Sequence, residues 1–261
     1  MNFAKKSLGQ NFLIDKNIIN KIIDLTTIGS RDIIEIGPGE GALTEEILKR
    51  NPRSITVIEK DNKLAEKLKI KYHKNNLVKI YNADILQFNI EKIISRRSAI
   101  FGNLPYNISS QILVSILRVK KWPPKFNDLI FMFQKELGEK IIGSYPSLHY
   151  GRLSILVKYR FNILKKFLVS PNCFLPKPKI NSMVIHFQPK KKIPFNIKKI
   201  ENLEKVTNIL FSNKRKMVNK NLKKLLNDSE IKEISDLKVS LRPSELRPEI
   251  FYKITEIFER K

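Results

Sequence analysis

Cysteine is almost missing from this chain of 261 residues. Cys173 stands alone, so no internal disulfide can form and nothing points to an oxidising compartment. Histidine is sparse too, with three residues. His73, His149 and His186 are scattered without metal-ligand spacing, and no metal is expected. Long apolar runs are absent too, so no segment is expected to span a membrane. The opening stretch MNFAKKSLGQNFLIDKNIINKIIDL has no uninterrupted apolar core, because Asp15 and Lys16 break it, and it does not read as a signal peptide. A cytoplasmic protein is the expectation. Acidic residues are the last scarcity: 25 Asp and Glu face 50 Lys and Arg, a net charge of +25. That excess points to a polyanionic partner, nucleic acid or an anionic membrane. Part of it follows from a chain rich in Lys, Ile and Asn throughout. Clustering argues for a surface, since Lys190 to Lys224 holds twelve basic and two acidic residues.

What is present is ample apolar material, 42% of the chain, enough for a sizeable core. Up to about residue 190, strand-like and helix-like patterns alternate. RDIIEIG precedes GALTEEILKRN, SITVIE precedes DNKLAEKLKIKY, and LVKIYNAD and SAIFGN follow, the latter leading into SSQILVSILRV. Alternation of this kind predicts an α/β fold with a mostly parallel sheet and helices on both faces. The stretch FLVSPNCFLPKPKINSMVIHFQP has strand-like ends around a Pro-rich loop and predicts an antiparallel hairpin at the sheet edge. Beyond Asn196 the pattern is helical. A boundary near Pro189 to Pro194 is expected, giving one domain over 1–190 and a small all-helical domain over 191–261.

The stretch EIGPGEGALT, residues 35–44, is a Gly-rich turn between the first strand and a helix. Gly37, Gly39 and Gly41 allow a ligand to approach the backbone closely. Gly37, Gly39 and Ala42 fit G-x-G-x-x-A, so a dinucleotide site is one reading. Pro38 removes a backbone donor, however, and Glu35 adds an anion, which suits a cationic sulfonium better than a pyrophosphate. Glu59 ends the run ITVIE, where a carboxylate can hold both ribose hydroxyls in either reading. Asp84, in YNAD, is placed to accept from an adenine amino group, or equally to cap a following helix. Together these features look like a pocket for S-adenosylmethionine.

After the fourth strand comes FGNLPYNIS. Asn-Leu-Pro-Tyr resembles the motif of methyltransferases that act on exocyclic amines. With GQNFL at 9–13, EIGPGEGALT, YGRLSI at 150–155 and FLPKPKINSMV at 174–184, it resembles the KsgA family of ribosomal RNA adenine N6-dimethyltransferases, in order along almost the whole chain. The resemblance implies a Rossmann-like S-adenosylmethionine-dependent methyltransferase core. Its substrate would be two adjacent adenosines in the 3′-terminal hairpin loop of small-subunit rRNA, with a role in subunit biogenesis. Asn103 and the Leu104 carbonyl would accept from the target amine. Pro105 would fix the turn and Tyr106 would stack on the flipped base. The family's aromatic in the Pro-rich loop maps to Phe174, which would cover the base from the other side. Gln10, Asn11 and Leu13 would close over the cofactor. Cys173 beside Phe174 reads as a buried thiol.

In FSNKRKMVNKNLKKLL the apolar residues 211, 218, 222 and 225 form one helical stripe. Lys216, Lys220, Lys223 and Lys224 then fall on the far face, and Lys214 and Arg215 precede them. This segment resembles the family's basic F-x-x-R/K-R-K stretch and reads as a phosphate-tracking surface. The expected partner is the small ribosomal subunit and its rRNA, met by a monomer without membrane association. Two rivals remain: an Erm-type enzyme acting on large-subunit rRNA, and a non-catalytic assembly factor that keeps the fold.

Overall fold

The computed structural model describes residues 10–260. Gly9 of the GQNFL stretch lies outside them. The central sheet has seven strands in the order β4-β3-β2-β5-β6-β9-β7. These are β2 (Asp32–Ile36), β3 (Ser54–Glu59), β4 (Val78–Asn82), β5 (Ser98–Asn103), β6 (Asp128–Gln134), β7 (Phe161–Val169) and β9 (Ser182–Pro189). Neighbours from β4 through β6 are parallel, and β9 runs antiparallel to β6. The order reverses between β2 and β5, which places a crevice at their carboxyl ends.

Central strands are buried along nearly their whole length, as in DIIEI of β2 and SAIFGN of β5. Continuous apolar runs suit strands covered by helices on both faces. Edge strands β4 and β7 carry exposed positions instead. The hairpin expected at the edge is present: β7 is the outermost strand and β9 lies beside it, between β7 and β6. The Pro-rich loop between them contributes β8 (Phe174–Leu175), which leaves the main sheet and pairs antiparallel with β1 (Phe12–Leu13).

The chain divides into two compact units, one of Met1–Gly138 with Ile163–Pro189, the other of Glu139–Asn162 with Lys190–Lys261. The expected first domain, 1–190, therefore differs from the compact unit. Glu139–Asn162, which contains α6 (Arg152–Arg160), groups with the later residues. Tyrosine hydroxyls show why. Tyr150 donates to the Leu246 carbonyl at 2.9 Å, Tyr252 to Ile155 at 3.0 Å and Tyr159 to Phe195 at 3.0 Å. A buried phenol needs such a partner.

The second unit is otherwise helical, as expected, with α7 (Ile200–Phe211), α8 (Asn219–Leu222), α9 (Asp228–Lys232) and α10 (Pro248–Phe258). The single helix read through 211–225 is not formed. α7 stops at Phe211, and α8 is only four residues long. Between them the Val218 amide donates to Leu241 at 2.9 Å, away from any helical partner. Val218, Leu222 and Leu225 are buried nonetheless, so the apolar positions were identified and their local structure was not.

Candidate active site

A cavity of about 520 Å³ opens at the carboxyl ends of β2 to β5. Its floor begins at the Gly-rich turn. Gly37, Gly39 and Gly41 all have positive φ, at 67°, 61° and 86°. Such values are the left-handed region, where a side chain is strained. Gly39 also lacks room: a Cβ there would sit 2.7 Å from the Phe12 ring. Strand β1 thus lays Phe12 directly on the turn, a contact the sequence did not reveal.

Glu59, at the end of β3, is almost wholly buried at 6% exposure. One carboxylate oxygen accepts from the Gly39 amide at 3.3 Å and the other from the Asp61 amide at 2.8 Å. Burial pushes its pKa up, against these two amides. Each oxygen keeps lone-pair capacity, since a carboxylate offers about four acceptor sites. That capacity fits a diol such as a ribose.

Asp84 follows β4 and starts no helix. Its Oδ1 accepts from the Leu86 amide at 3.0 Å, and its Oδ2 meets Lys60 Nζ at 2.7 Å. Lys60 is the first cause holding its carboxyl below the usual range.

Glu35 corrects an expectation. The sequence reading treats it as a standing anion, but the side chain is 1% exposed and burial raises its pKa to about 7. Thr44 Oγ1 donates to it at 2.5 Å, which lowers the value, while the charge of Glu59 raises it further. Near neutral pH it is therefore divided between two protonation states.

At the end of β5, Asn103 Nδ2 donates to the Asn11 carbonyl at 3.1 Å. That bond leaves Oδ1 as the acceptor the side chain can offer. Leu104 is buried and packs over Gly102. The Pro105 carbonyl accepts from Ile108 at 3.2 Å, turning the chain into α4 (Ser109–Leu117). Tyr106 is half-buried, and its hydroxyl lies 2.6 Å from Ser182 Oγ at the start of β9. Burial raises the phenol pKa, against that bond.

Gln10, Asn11, Leu13, Gly37, Gly39, Glu59, Asp84, Asn103, Leu104, Pro105 and Tyr106 all line this one cavity. Phe174 does not. It is 2% exposed and packs in the core with Leu13, Val169 and Cys173. The ladder of β1 and β8, with Leu13 opposite Phe174, holds it there. A ring in the core cannot stack on a base, so the expected cover over the target is corrected for this conformation. Cys173 is buried, as read, and burial raises its thiol pKa. Among the described residues no group of three His, Cys, Asp or Glu could hold a metal. Sequence reasoning missed Phe12, Lys60 and Ser182, which act through contacts between separate segments, and Thr44, which reaches across the Gly-rich turn to Glu35.

The six basic residues expected to meet RNA, Lys214, Arg215, Lys216, Lys220, Lys223 and Lys224, are all exposed. Lys223 meets Asp228 at 3.1 Å.

A family model described as ribosomal RNA adenine dimethylase matches residues 1–259. The chain is 42% identical to a ribosomal RNA small subunit methyltransferase A of Pelagibacter ubique, over 98% of this chain and 97% of that one. Among solved structures, a dimethyladenosine transferase from Plasmodium falciparum aligns with a TM-score of 0.73 at 22% identity, covering 93% of this chain and 95% of that one. The 23S rRNA methyltransferase ErmE aligns with a TM-score of 0.70 at 24% identity, covering 95% of this chain and 100% of that one. Both structural likenesses speak for the fold.

Proposed function

The chain belongs to the ribosomal RNA adenine dimethylase family, and from that premise we propose that it dimethylates N6 of two adjacent adenosines in the 3′-terminal hairpin loop of small-subunit rRNA. It is an rRNA adenine N6-dimethyltransferase that uses S-adenosylmethionine. The observation that carries the choice of subunit is the near full-length match to a small-subunit enzyme. The likeness to ErmE is below a quarter identity and favours no substrate.

S-adenosylmethionine, when bound, supplies an electrophilic methyl group on a sulfonium. We assign the ribose hydroxyls to Glu59, the adenine amino group to Asp84 and the covering segment to Gln10, Asn11 and Leu13. The glycine turn offers its bare backbone at Gly37 and Gly39. The target N6 is a poor nucleophile because its lone pair is delocalised into the ring. Asn103 Oδ1 and the Leu104 carbonyl accept its two N–H groups, favour pyramidalisation and aim the lone pair. Asn103 is neutral, so it orients the amine. As the N–CH3 bond forms the S–CH3 bond breaks, the neutral thioether leaves, and the N–H proton of the methylated amine passes to water. Tyr106 offers its ring to the flipped base. Positioning in a preorganised, largely dry site supplies most of the rate. Lys214, Arg215, Lys216, Lys220, Lys223 and Lys224 track phosphates of the same RNA.

This reading has the protein acting as a monomer in the cytoplasm, with a part in subunit assembly. No described helix is long and apolar enough to cross a membrane. Mass spectrometry of adenosines in both rRNAs, from cells with and without the gene, is the test. Dimethyladenosine lost from the small-subunit rRNA alone is expected. Loss from the large-subunit rRNA would favour the Erm-type reaction, and no loss in either would favour a binding factor.

A further inference from the structure

We propose that the segments 91–97 and 118–127 form a second RNA-binding surface, at the edge of the sheet opposite the cofactor cleft. It takes the phosphates of a structured RNA segment other than the one whose base enters the cleft. The inference rests on the rRNA substrate assigned above.

Topology brings the segments together. β5 begins at Ser98 and its parallel neighbour β6 at Asp128, with Ala99 opposite Asp128. The residues before both strands therefore emerge at the same edge, where strands begin. Cleft residues follow strand ends. The six residues of β5 separate the two edges by roughly 20 Å at about 3.3 Å per residue. Hydrogen bonds join the segments. Asn127 donates its amide to the Ser98 carbonyl and its side-chain Nδ2 to the Arg96 carbonyl, both at 3.1 Å. The Lys120 amide donates to Glu91 at 3.1 Å, and Arg31 Nε to the Arg97 carbonyl at 3.1 Å.

The charge of this surface is one-sided. Arg96, Arg97, Arg118, Lys120, Lys121 and Lys125 are exposed. Asp128 is buried beneath them and already engaged, with Arg31 at 2.7 Å and His186 at 2.7 Å. Glu91 is the remaining acid of the two segments. Among the described residues, the side chains of Arg96, Arg97, Lys120, Lys121 and Lys125 form no ion pair. Elsewhere in the same unit Lys49, Arg50, Arg53, Lys60 and Lys71 each do. A merely solvated face interleaves its charges, whereas like charges held together repel unless an anion meets them. Trp122, half-buried among these cations, adds a flat apolar body of the kind that stacks on nucleotides. RNA is favoured over a lipid surface because none of the exposed large aliphatic side chains lies in these segments, and membrane docking needs apolar insertion.

The test compares three full-length proteins. One carries Arg96→Gln, Arg97→Gln, Lys120→Gln, Lys121→Gln and Lys125→Gln. A control removes the same charge from exposed positions of the same unit, with Lys63→Gln, Lys67→Gln, Lys74→Gln, Lys165→Gln and Lys166→Gln. Binding to small ribosomal subunits is measured across a salt series. The first variant is expected to bind roughly tenfold more weakly, with the slope of log K against log salt reduced by about 2 to 4, since each phosphate contact contributes about 0.7–0.9. Its affinity for S-adenosylmethionine and its melting temperature stay at wild-type values, and the control keeps the wild-type slope. Equal slopes for the two variants would overturn the proposal. So would vesicles of anionic phospholipid that bind the wild type and lose only that binding in the first variant. Wild-type protein that fails to methylate small-subunit rRNA would sink the assigned reaction instead, while the slope comparison on the same subunits still decides the surface.

Discussion

The cleft of the first unit and the cationic segment Lys214–Lys224 of the second are built on opposite terms. In the cleft, four polar side chains given roles are each tied to another segment. Glu59 is held by the amides of Gly39 and Asp61, Asn103 by Asn11, Tyr106 by Ser182 and Asp84 by Lys60. In the cationic segment only Lys223 has an ion-pair partner among the described residues. Transfer of a methyl group to one nitrogen needs atoms placed within a fraction of an ångström. Following a phosphate chain needs charge density and tolerates mobile side chains. A single cleft substitution should therefore be costly, and a single lysine substitution mild.

Asn103→Ala should give the largest effect. Methyl transfer is expected to fall about 100-fold or more, as when an orienting group is lost from a preorganised site. Cofactor affinity should stay within a few-fold. A tritium-transfer assay and isothermal titration read the two halves. Turnover near wild type would remove Asn103 from its role and blur the contrast between the regions.

Glu59→Ala should come next. Loss of a charge-assisted hydrogen bond typically costs about 1.5–3 kcal/mol, so S-adenosylmethionine should bind at least about tenfold more weakly. Binding to small subunits should be unchanged, which a pull-down can show. If release from the subunit is coupled to methylation, the variant should also remain bound longer. Full methylation with unaltered cofactor affinity would end the pocket assignment.

Neutralising the cationic segment should be gentler. Lys216→Gln, Lys220→Gln, Lys223→Gln and Lys224→Gln together should weaken subunit binding by roughly fivefold at moderate salt. The salt slope should fall by about 1 to 3. A single member should be nearly silent in the same assay. One lysine that abolished binding would show that this segment, too, is a fixed-geometry site.

The smallest effect concerns pH. Glu35 has its pKa raised from an ordinary 4.5 to about 7 by burial. Between those values the folded protein holds a proton that the unfolded chain releases. The protonated form's contribution to stability is therefore complete below the unfolded value and is lost as pH rises through the folded one. A cationic cofactor in the cleft favours the ionised carboxylate. Affinity for S-adenosylmethionine should then rise a few-fold from about pH 6 to about pH 8. Affinity for the thioether product, which lacks the sulfonium charge, should change less. Glu35→Gln should flatten the difference, and calorimetry at several pH values checks it.

Much of the cleft was legible in the sequence because its signals are local. Three alternate glycines after a β-branched run specify a turn of positive φ. A carboxylate closing ITVIE is set at a strand end by the strand's own length. Asn-Leu-Pro-Tyr marks an abrupt stop between a strand and a helix. The parts that escaped depend on pairing between distant segments. Phe174 looked available until β8 was seen to pair with β1 and draw it into the core. The helix read through 211–225 has the right apolar spacing, yet the Val218 amide is taken by Leu241. Glu139–Asn162 reads as part of the α/β alternation, but Tyr150 and Tyr159 find their carbonyl partners at Leu246 and Phe195, among the later residues.

The sequence by itself determined the alternation of elements, the strand ends on which chemistry can sit and the surplus of cations. Those follow from backbone periodicity, turn residues and formal charge, which neighbours along the chain decide. Only the tertiary structure decided which side chains are dry and which are wet. It left Glu35 near neutrality, buried Phe174 and gathered two basic loops at one edge of the sheet, because burial and charge spacing depend on segments that meet only when the chain folds.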